Sequence, residues 1–157
     1  MQRLEQLTST KALEILDKIH FFDIFNSLEK GILTGFHSHF FLVKKCESII
    51  QQGGDDRSLY ILLTGRVCVR RKDLSKSLAT LAPGDFFGEV SFLTERTRTT
   101  SVISAEDCII FEIDKATLKH LDISIREKLK DNIIKVLVNR LDRLNETIVK
   151  LTKATGE

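Results

Sequence analysis

Residues 86–102 read FFGEVSFLTERTRTTSV and carry the most informative pattern of the chain. They follow a Pro83-Gly84-Asp85 turn and open with Phe86-Phe87, an apolar pair typical of a short strand. Gly88 has no side chain, so a ligand can approach its backbone closely. The pattern predicts a helical turn that starts near Gly88. Its first N–H groups, from residues 89–91, lack intrahelical partners and can bind an anion.

Ten residues after this glycine lies Arg98, followed by Thr99 and Thr100. A guanidinium is a planar fork of N–H donors, and it matches two phosphodiester oxygens better than the point charge of a lysine does. The alternative is an ordinary turn in which Arg98 pairs with Glu89 or Glu95 at the surface. Each residue alone fits that alternative, but the combination favours a site for a small anion.

Turn-forming residues are concentrated in the middle of the chain. Seven of the eight glycines and the only proline lie between Gly31 and Gly88. Short apolar runs separated by polar turns, such as Gly53-Gly54-Asp55-Asp56, predict many short strands and therefore a sandwich, a jelly roll or a barrel. The predicted strands are Ser48–Ile50, Leu59–Leu63, Arg66–Arg70, Ser77–Leu81, Ser101–Ala105 and Cys108–Ile113.

Helices are predicted on both sides of this centre. An amphipathic segment from Thr10 to His20 predicts a first helix. Asn26 and Glu29 have capping-box spacing, which predicts the start of a second. Ser124 and Glu127 have the same spacing ahead of a long stretch without glycine or proline, and this predicts the start of a long C-terminal helix.

That last helix carries an apolar seam at spacings of 3, 4, 3, 4 and 3 residues, the pattern of a coiled coil. A second stripe nearer its start lies on another face and is expected to pack on the β core. The seam extends further than a small domain can cover. We therefore expect it to pair with the same helix of a second copy, in preference to packing on its own domain. The seam is Ile134, Leu137, Leu141, Leu144, Ile148 and Leu151; the earlier stripe is Leu129, Ile133 and Val136.

Length and composition limit the possible functions. The 157 residues, 42% of them hydrophobic, suit one domain with a core. A formal charge of +2 provides no overall basic field for nucleic acid. No apolar run approaches the length of a membrane span. The scattered Cys46, Cys68 and Cys108 indicate reduced thiols. The sequence therefore predicts a cytoplasmic protein without a membrane or nucleic-acid partner.

The pattern in residues 86–102 resembles the phosphate-binding cassette of cyclic-nucleotide-binding domains, which include catabolite activator proteins and the regulatory subunits of cAMP-dependent kinases. The family pattern is Phe-Gly-Glu, an aliphatic residue, Ala or Ser, an apolar residue, a short loop, and Arg before a small residue. Here it reads Phe87-Gly88-Glu89-Val90-Ser91-Phe92 and then Arg98-Thr99-Thr100. Thr97 stands where proline is frequent, and Thr100 replaces the usual alanine.

The resemblance covers nearly the whole chain and implies one cyclic-nucleotide-binding domain over residues 1–157. Residues 1–36 would be an N-terminal helical segment. Residues 37–123 would be a β-roll of the double-stranded β-helix, or jelly-roll, type. Residues 124–154 would be a C-terminal dimerisation or lid helix.

The ligand implied by the resemblance is cAMP, with cGMP as the other candidate, and no cofactor or metal is implied. Arg98, the amides of Val90 and Ser91 and the Thr99 hydroxyl would bind the phosphate, and Glu89 would accept the ribose 2′-hydroxyl proton. Arg143 and Asn145 would lie near the base or would only flank the seam in solvent. The expected ligand-binding residues are Phe87, Gly88, Glu89, Val90, Ser91, Arg98, Thr99, Thr100, Arg143 and Asn145.

The implied function is regulatory. Binding would draw the Gly88–Phe92 turn inward and repack the C-terminal helix or a homodimer. The sequence contains no recognisable nucleophile–base pair, so an enzyme is not predicted. The alternatives are a cupin-like metal-binding protein, suggested by Gly31 with His37-x-His39, and a dimeric adaptor without a ligand. A complete transcription factor would need a helix-turn-helix beyond Glu157.

Overall fold

The structure is a computed structural model and describes residues 1–35 and 39–156. The chain divides into two compact units, residues 1–121 and 122–157. In its described residues, the first unit contains nine strands, four α-helices and one 3₁₀ turn, and the second contains one long helix.

The element bounds agree with the predicted order of helices, strands and long helix. The helices are α1 (Ser9–Asp17), α2 (Ser27–Thr34), α3 (Glu89–Thr94), α4 (Lys115–His120) and α5 (Ile123–Ala154), and the 3₁₀ turn is His20–Phe22. The strands are β1 (Gln2–Arg3), β2 (Phe40–Val43), β3 (Ser48–Ile50), β4 (Leu59–Thr64), β5 (Val67–Arg70), β6 (Ala79–Leu81), β7 (Phe86–Phe87), β8 (Ser101–Ser104) and β9 (Cys108–Ile113).

Two antiparallel sheets form the body of the first unit. One has the strand order β1-β2-β9-β4-β7 and the other β3-β8-β5-β6. In β4 the five consecutive residues Leu59–Leu63 are all buried, so both faces of this strand are covered and its sequence does not alternate. A buried cluster that includes Val43, Leu62 and Val102 draws on both sheets. The prediction of a mainly β fold with flanking helices is confirmed.

The two predicted capping boxes have different outcomes. At α2 the Glu29 amide donates to Asn26 Oδ1 at 2.8 Å and the Asn26 amide donates to Glu29 Oε1 at 3.0 Å, so this box is confirmed. The box predicted at Ser124 is wrong. Helix α5 begins at Ile123 with Asp122 as its N-cap residue, and no side chain caps it. Ser124 already has helical backbone geometry, so it cannot act as the cap.

The 32-residue helix α5 carries the two predicted kinds of apolar residue. Ile125, Leu129 and Ile133 are buried. Further along, the seam is exposed: Leu141 is 57% exposed and Ile148 is 60% exposed. Five of the six seam residues are more than half exposed, and only Leu137 is half-buried. In this chain the second half of α5 therefore presents an uncovered apolar face. Neither α5 nor any other described helix combines the length and apolarity needed to cross a membrane.

Candidate functional site

The predicted anion site lies where β7 runs into α3. Strand β7 pairs with β4, with Phe87 opposite Tyr60. Gly88 then adopts φ +82° and is the N-cap residue of α3. The predicted helical turn that starts near Gly88 is confirmed. A left-handed residue is needed to turn a buried strand directly into a helix here, and glycine takes that conformation without steric cost.

The surroundings of Gly88 exclude any side chain. A Cβ at this position would lie 2.8 Å from Arg98 Nη1, 2.8 Å from the Ser58 carbonyl oxygen and 3.2 Å from Ile50 Cδ1. The Ser58 oxygen belongs to the backbone of the approach to β4 and cannot move aside cheaply. The backbone of Gly88 and the guanidinium of Arg98 therefore touch, and their approach depends on the missing side chain.

Arg98 is 3% exposed, and its guanidinium points inward at the start of α3. Nη1 donates to the Gly88 carbonyl at 2.8 Å, and Nη2 donates to the Ser58 carbonyl at 2.7 Å. Nε donates to Asp56 Oδ2 at 3.1 Å, and Nη2 donates to the same carboxylate oxygen. The surface pairing of Arg98 with Glu89 or Glu95, which was the alternative to a site, is not what the structure shows.

Asp56 is the functional side chain that sequence reasoning missed. It lies 42 residues before Arg98 and supplies the carboxylate that a buried guanidinium requires. The Gly53-Gly54-Asp55-Asp56 segment looked like a plain turn. The only signal was that a buried arginine must find an acid, and the sequence offered several. Asp56 accepts from the Nε side of the guanidinium. The sequence predicts that all the N–H donors of Arg98 serve the phosphate, whereas the structure leaves only part of them for it.

Backbone hydrogen bonds hold Asp56 in register with Arg98. The Gly53 amide donates to the Arg98 carbonyl at 2.8 Å, and the Arg98 amide donates to the Gly54 carbonyl at 2.8 Å. The turn that carries the carboxylate and the segment that carries the guanidinium are therefore connected at both main chain and side chain. The two segments are thus already fixed relative to each other, so forming the ion pair costs less conformational entropy.

Anion-binding capacity remains on one side of this cluster. A guanidinium has five N–H groups. Four of those of Arg98 make the bonds above, which leaves one N–H on Nη1 without a partner among the described residues. The first intrahelical bond of α3 runs from the Phe92 amide to the Gly88 carbonyl at 3.2 Å. The amides before Phe92 thus lie ahead of the helical ladder. The arrangement can bind an anion.

The remaining predicted residues fall into two groups. Near Gly88 and Arg98, Phe87 and Ser91 are buried, Glu89 and Thr100 are half-buried, and Val90 and Thr99 are exposed. Arg143 and Asn145 lie on α5, in the second unit, and both are exposed. The structure brings the cassette residues together, and the role of the α5 pair stays a prediction.

Two stacked aromatic rings lie next to the Arg98 guanidinium. The rings of Tyr60 and Phe87 stack with centroids 5.4 Å apart, and the Arg98 guanidinium carbon lies 5.9 Å from the Tyr60 ring centroid. The Tyr60 hydroxyl lies 3.4 Å from Glu112 Oε1. Burial raises the pKa of the Tyr60 phenol, and the nearby Glu112 carboxylate raises it further. The phenol therefore stays protonated, and its proton can be donated to Glu112.

The far end of α3 is held by Lys115, the first residue of α4. Its ammonium donates to the Phe92 carbonyl at 2.5 Å and lies 4.7 Å from the centroid of the Phe92 ring. It also lies 4.0 Å from Glu95 Oε1. A cation at the C-terminal end of a helix is stabilised by the carbonyls exposed there. Lys115 therefore links the anion-site helix to the segment that leads into α5.

The histidine pair behind the metal-binding alternative is only partly described. His37 lies outside the described residues. His39 Nε2 lies 3.2 Å from the Thr117 hydroxyl. Among residues 1–35 and 39–156, no three side chains of His, Cys, Asp or Glu are grouped as metal ligands.

We expect Asp56→Asn to lower the free energy of unfolding by roughly 1–2 kcal/mol. The change removes the charge that compensates buried Arg98, while the 48% exposure of the Asp56 side chain moderates the loss. Urea denaturation followed by circular dichroism measures the effect. Asp55→Asn is the matched control, because this neighbour is exposed and forms no ion pair within the described part of the chain. Equal losses in the two variants would contradict the assigned role of Asp56.

The chain is similar to a family of known proteins. The family model described as Cyclic nucleotide-binding domain matches residues 41–122. The CRP-like cAMP-activated global transcriptional regulator of Mycobacterium tuberculosis is 28% identical over 107 residues, which cover 66% of this chain and 47% of that protein. The cAMP-dependent protein kinase regulatory subunit of Eremothecium gossypii is 30% identical over 83 residues, 53% of this chain and 18% of that protein. The chain thus spans less than half the length of these relatives.

Solved structures show the same fold. A cyclic nucleotide-binding domain from Methylobacillus flagellatus superposes with a TM-score of 0.74 at 19% identity, covering 90% of this chain and 82% of that one. The catabolite activator protein of Thermus thermophilus gives a TM-score of 0.70 at 26% identity, covering 84% of this chain and 62% of that one.

Proposed function

Because this chain belongs to the cyclic nucleotide-binding domain family, we propose that it binds cAMP at the α3–Arg98 cluster and acts as a regulatory domain in the cytoplasm. The cyclic phosphate would accept from Arg98 and from the amides at the start of α3. The two sheets would form the double-stranded β-helix jelly roll of the family. This proposal includes no catalytic step, cofactor or metal.

One observation carries the proposal: a buried guanidinium that touches the backbone of a left-handed glycine at the start of a helix. Beside this contact lie one Nη1 hydrogen of Arg98 without a partner among the described residues and the amides at the start of α3. The phosphate of a cyclic nucleotide carries a single charge, and it needs a cation fixed in position together with N–H donors. Asp56 orients the guanidinium and leaves its Nη1 side toward Gly88.

The relatives named above are regulators, and neither is named as an enzyme. Their similarity favours nucleotide binding over the cupin-like alternative. Glu89 is the acceptor that we assign to the ribose 2′-hydroxyl. An ionised carboxylate accepts but does not donate, and beside the phosphate it would only repel. Arg143 or Asn145 would contact the base, and Asn145 can both donate to and accept from an adenine edge.

Isothermal titration calorimetry with cAMP, cGMP and linear 5′-AMP tests the proposed function. We expect saturable binding of cAMP, weaker binding of cGMP and no binding of 5′-AMP, because a dianionic linear phosphate does not fit a site for a compact monoanion. If neither cyclic nucleotide binds at millimolar concentration, the proposed function is wrong.

We also propose that the exposed seam of α5 forms a parallel homodimer. Assigned as a heptad, the seam has Ile134, Leu141 and Ile148 at position a, and Leu137, Leu144 and Leu151 at position d. When most residues at position a are β-branched and those at position d are leucine, a parallel coiled coil of two helices is favoured. More than half of the side-chain surface of most seam residues is exposed in the single chain, which gives the pairing its driving force.

The dimer proposal predicts that Leu141→Glu raises the dimer dissociation constant roughly tenfold or more, since a leucine is lost from the seam of both chains. Sedimentation equilibrium measures the constant. Asn139→Glu is the control, because it adds the same charge two residues away on the exposed outer face of α5. A monomeric parent, or equal weakening by both variants, would contradict the pairing.

Lys115 is the residue that we assign to the transmission of binding. It joins α3, which begins at the anion site, to α4, which continues through Leu121 and Asp122 into α5. A shift of α3 toward a bound phosphate would pull on this ammonium through the Phe92 carbonyl and ring. The proposed switch therefore has a physical link in addition to the chain connection.

For Lys115→Met we expect cAMP affinity within about threefold of the parent but a loss of the response in α4 and α5. The apolar stem is kept, whereas the charge-assisted hydrogen bond and the cation–π contact are lost. Hydrogen–deuterium exchange with and without cAMP measures the response over residues 115–133. Lys119→Met, an exposed lysine on the same short helix, is the control. A ligand-induced change that is unaltered in Lys115→Met would remove Lys115 from the link.

A further inference from the structure

The hairpin that joins β5 to β6 projects away from the core. Every residue from Arg70 to Thr80 is exposed, eleven in succession. The turn is nevertheless ordered: the Leu74 amide donates to the Arg71 carbonyl at 3.2 Å, and the Lys72 amide donates to Gln52 Oε1 at 2.8 Å. The side chains of this segment are not part of the core, so packing does not dictate their types and they can form a binding surface.

Positive charge is concentrated on this hairpin. Residues 70–80 hold four of the 24 basic residues and one of the 22 acidic residues, a formal charge of +3, so the rest of the chain carries −1. The single acid, Asp73, is paired with Arg71 through bonds of 3.0 and 2.9 Å. The other three cations make no side-chain hydrogen bond or ion pair within residues 1–35 and 39–156; they are Arg70, Lys72 and Lys76.

Two leucines accompany these cations. Leu74 is 49% exposed and Leu78 is 50% exposed, and they lie on either side of Lys76. Water-exposed leucine gains from transfer to an apolar medium, whereas a nucleic-acid backbone offers it nothing to pack against. The hairpin has no aromatic residue on which a base could stack. A cationic surface with protruding leucines matches an anionic lipid bilayer, where phosphates meet acyl chains.

We propose that the β5–β6 hairpin is a peripheral binding surface for an anionic membrane. The cations would contact lipid phosphates, and Leu74 and Leu78 would enter the boundary between headgroups and acyl chains. Peripheral contact needs no spanning segment, whose lack was the basis for expecting no membrane partner. The proposal does not depend on nucleotide binding.

Vesicle co-sedimentation tests the hairpin. The parent protein is mixed with vesicles of phosphatidylcholine alone, or of 70% phosphatidylcholine with 30% phosphatidylglycerol, at 50 and 500 mM NaCl. We expect binding only to the anionic vesicles and only at low salt. In the triple variant R70Q/K72Q/K76Q the partition coefficient should fall roughly a hundredfold. Each cation near an anionic surface contributes a similar binding free energy, so the losses from the three cations multiply in the partition coefficient. L74S/L78S should lower it while keeping the charge.

The triple variant K11Q/K18Q/K45Q is the matched control, because it removes three exposed lysines from outside the hairpin. Retained binding in this control supports the hairpin as the surface. Equal loss in both triple variants, or binding of the parent to phosphatidylcholine alone, overturns the proposal. So does the absence of binding to the anionic vesicles at low salt. Salt-sensitive binding to a duplex DNA probe through the same residues would then assign the hairpin to nucleic acid. Unchanged thermal unfolding in the hairpin variants shows that the fold is kept.

Discussion

Replacement of Arg98 by lysine is expected to weaken cAMP binding about a hundredfold while the formal charge of the chain stays the same. A lysine ammonium is a single point donor and cannot serve the Gly88 and Ser58 carbonyls, the Asp56 carboxylate and a phosphate at once. Loss of a charge-assisted contact costs up to about 3 kcal/mol, which is close to two orders of magnitude in affinity. Calorimetric titration measures the change.

The same variant is expected to unfold at a lower temperature, because buried acceptors at Gly88 and Ser58 lose their donor. Titration is therefore done well below the unfolding temperature of the variant. Arg96→Lys is the control, an exposed arginine two residues earlier for which we expect no change in either property. If folded Arg98→Lys binds cAMP as tightly as the parent does, Arg98 is not the phosphate ligand.

The second large effect is expected for Gly88→Ala, which should lower the free energy of unfolding by about 3 kcal/mol or more. The left-handed φ of +82° alone costs an alanine roughly 1–2 kcal/mol. The added Cβ would also press on Arg98 Nη1 and on the Ser58 carbonyl, each at 2.8 Å. In a protein of this size the melting temperature should fall by roughly 6–12 °C.

Gly84→Ala separates the two causes. Gly84 also has a left-handed φ, of +96°, but nothing lies within 4 Å of a Cβ there. It should show the conformational cost only, with cAMP binding retained. Gly88→Ala should in addition lose binding, because the displaced guanidinium no longer faces α3. Equal effects of the two substitutions on stability and binding would show that the close approach at Gly88 contributes nothing.

The local elements of this protein could be predicted from sequence because their causes are local. The capping box at Asn26 and Glu29 and the helical turn that starts near Gly88 each depend on residues within a few positions of one another. The box predicted at Ser124 failed for a local reason as well, since the helix begins at Ile123 and a residue inside a helix cannot cap it. Possible helix starts one or two residues apart share nearly the same sequence pattern, so spacing alone does not decide between them.

The residues of the candidate site also divide into those with local and those with distant causes. Gly88, Glu89 and Arg98 were identified from one contiguous stretch, and the structure brings them to one place. Asp56 and Lys115 were missed, because each acts on that stretch from a distant part of the chain. Spacing in sequence contains no information about which acid reaches a buried arginine.

The sequence by itself determined the order of helix, short strands and long helix, the turn at Gly88 and the apolar seam of α5. Periodicity and turn chemistry act over neighbouring residues, so one chain suffices to show them. Only the tertiary structure decided that Asp56, 42 residues away, neutralises Arg98 and that Lys115 closes the end of α3. Burying a charge is tolerated only beside its partner, and the packing of the sheets settles which partner that is.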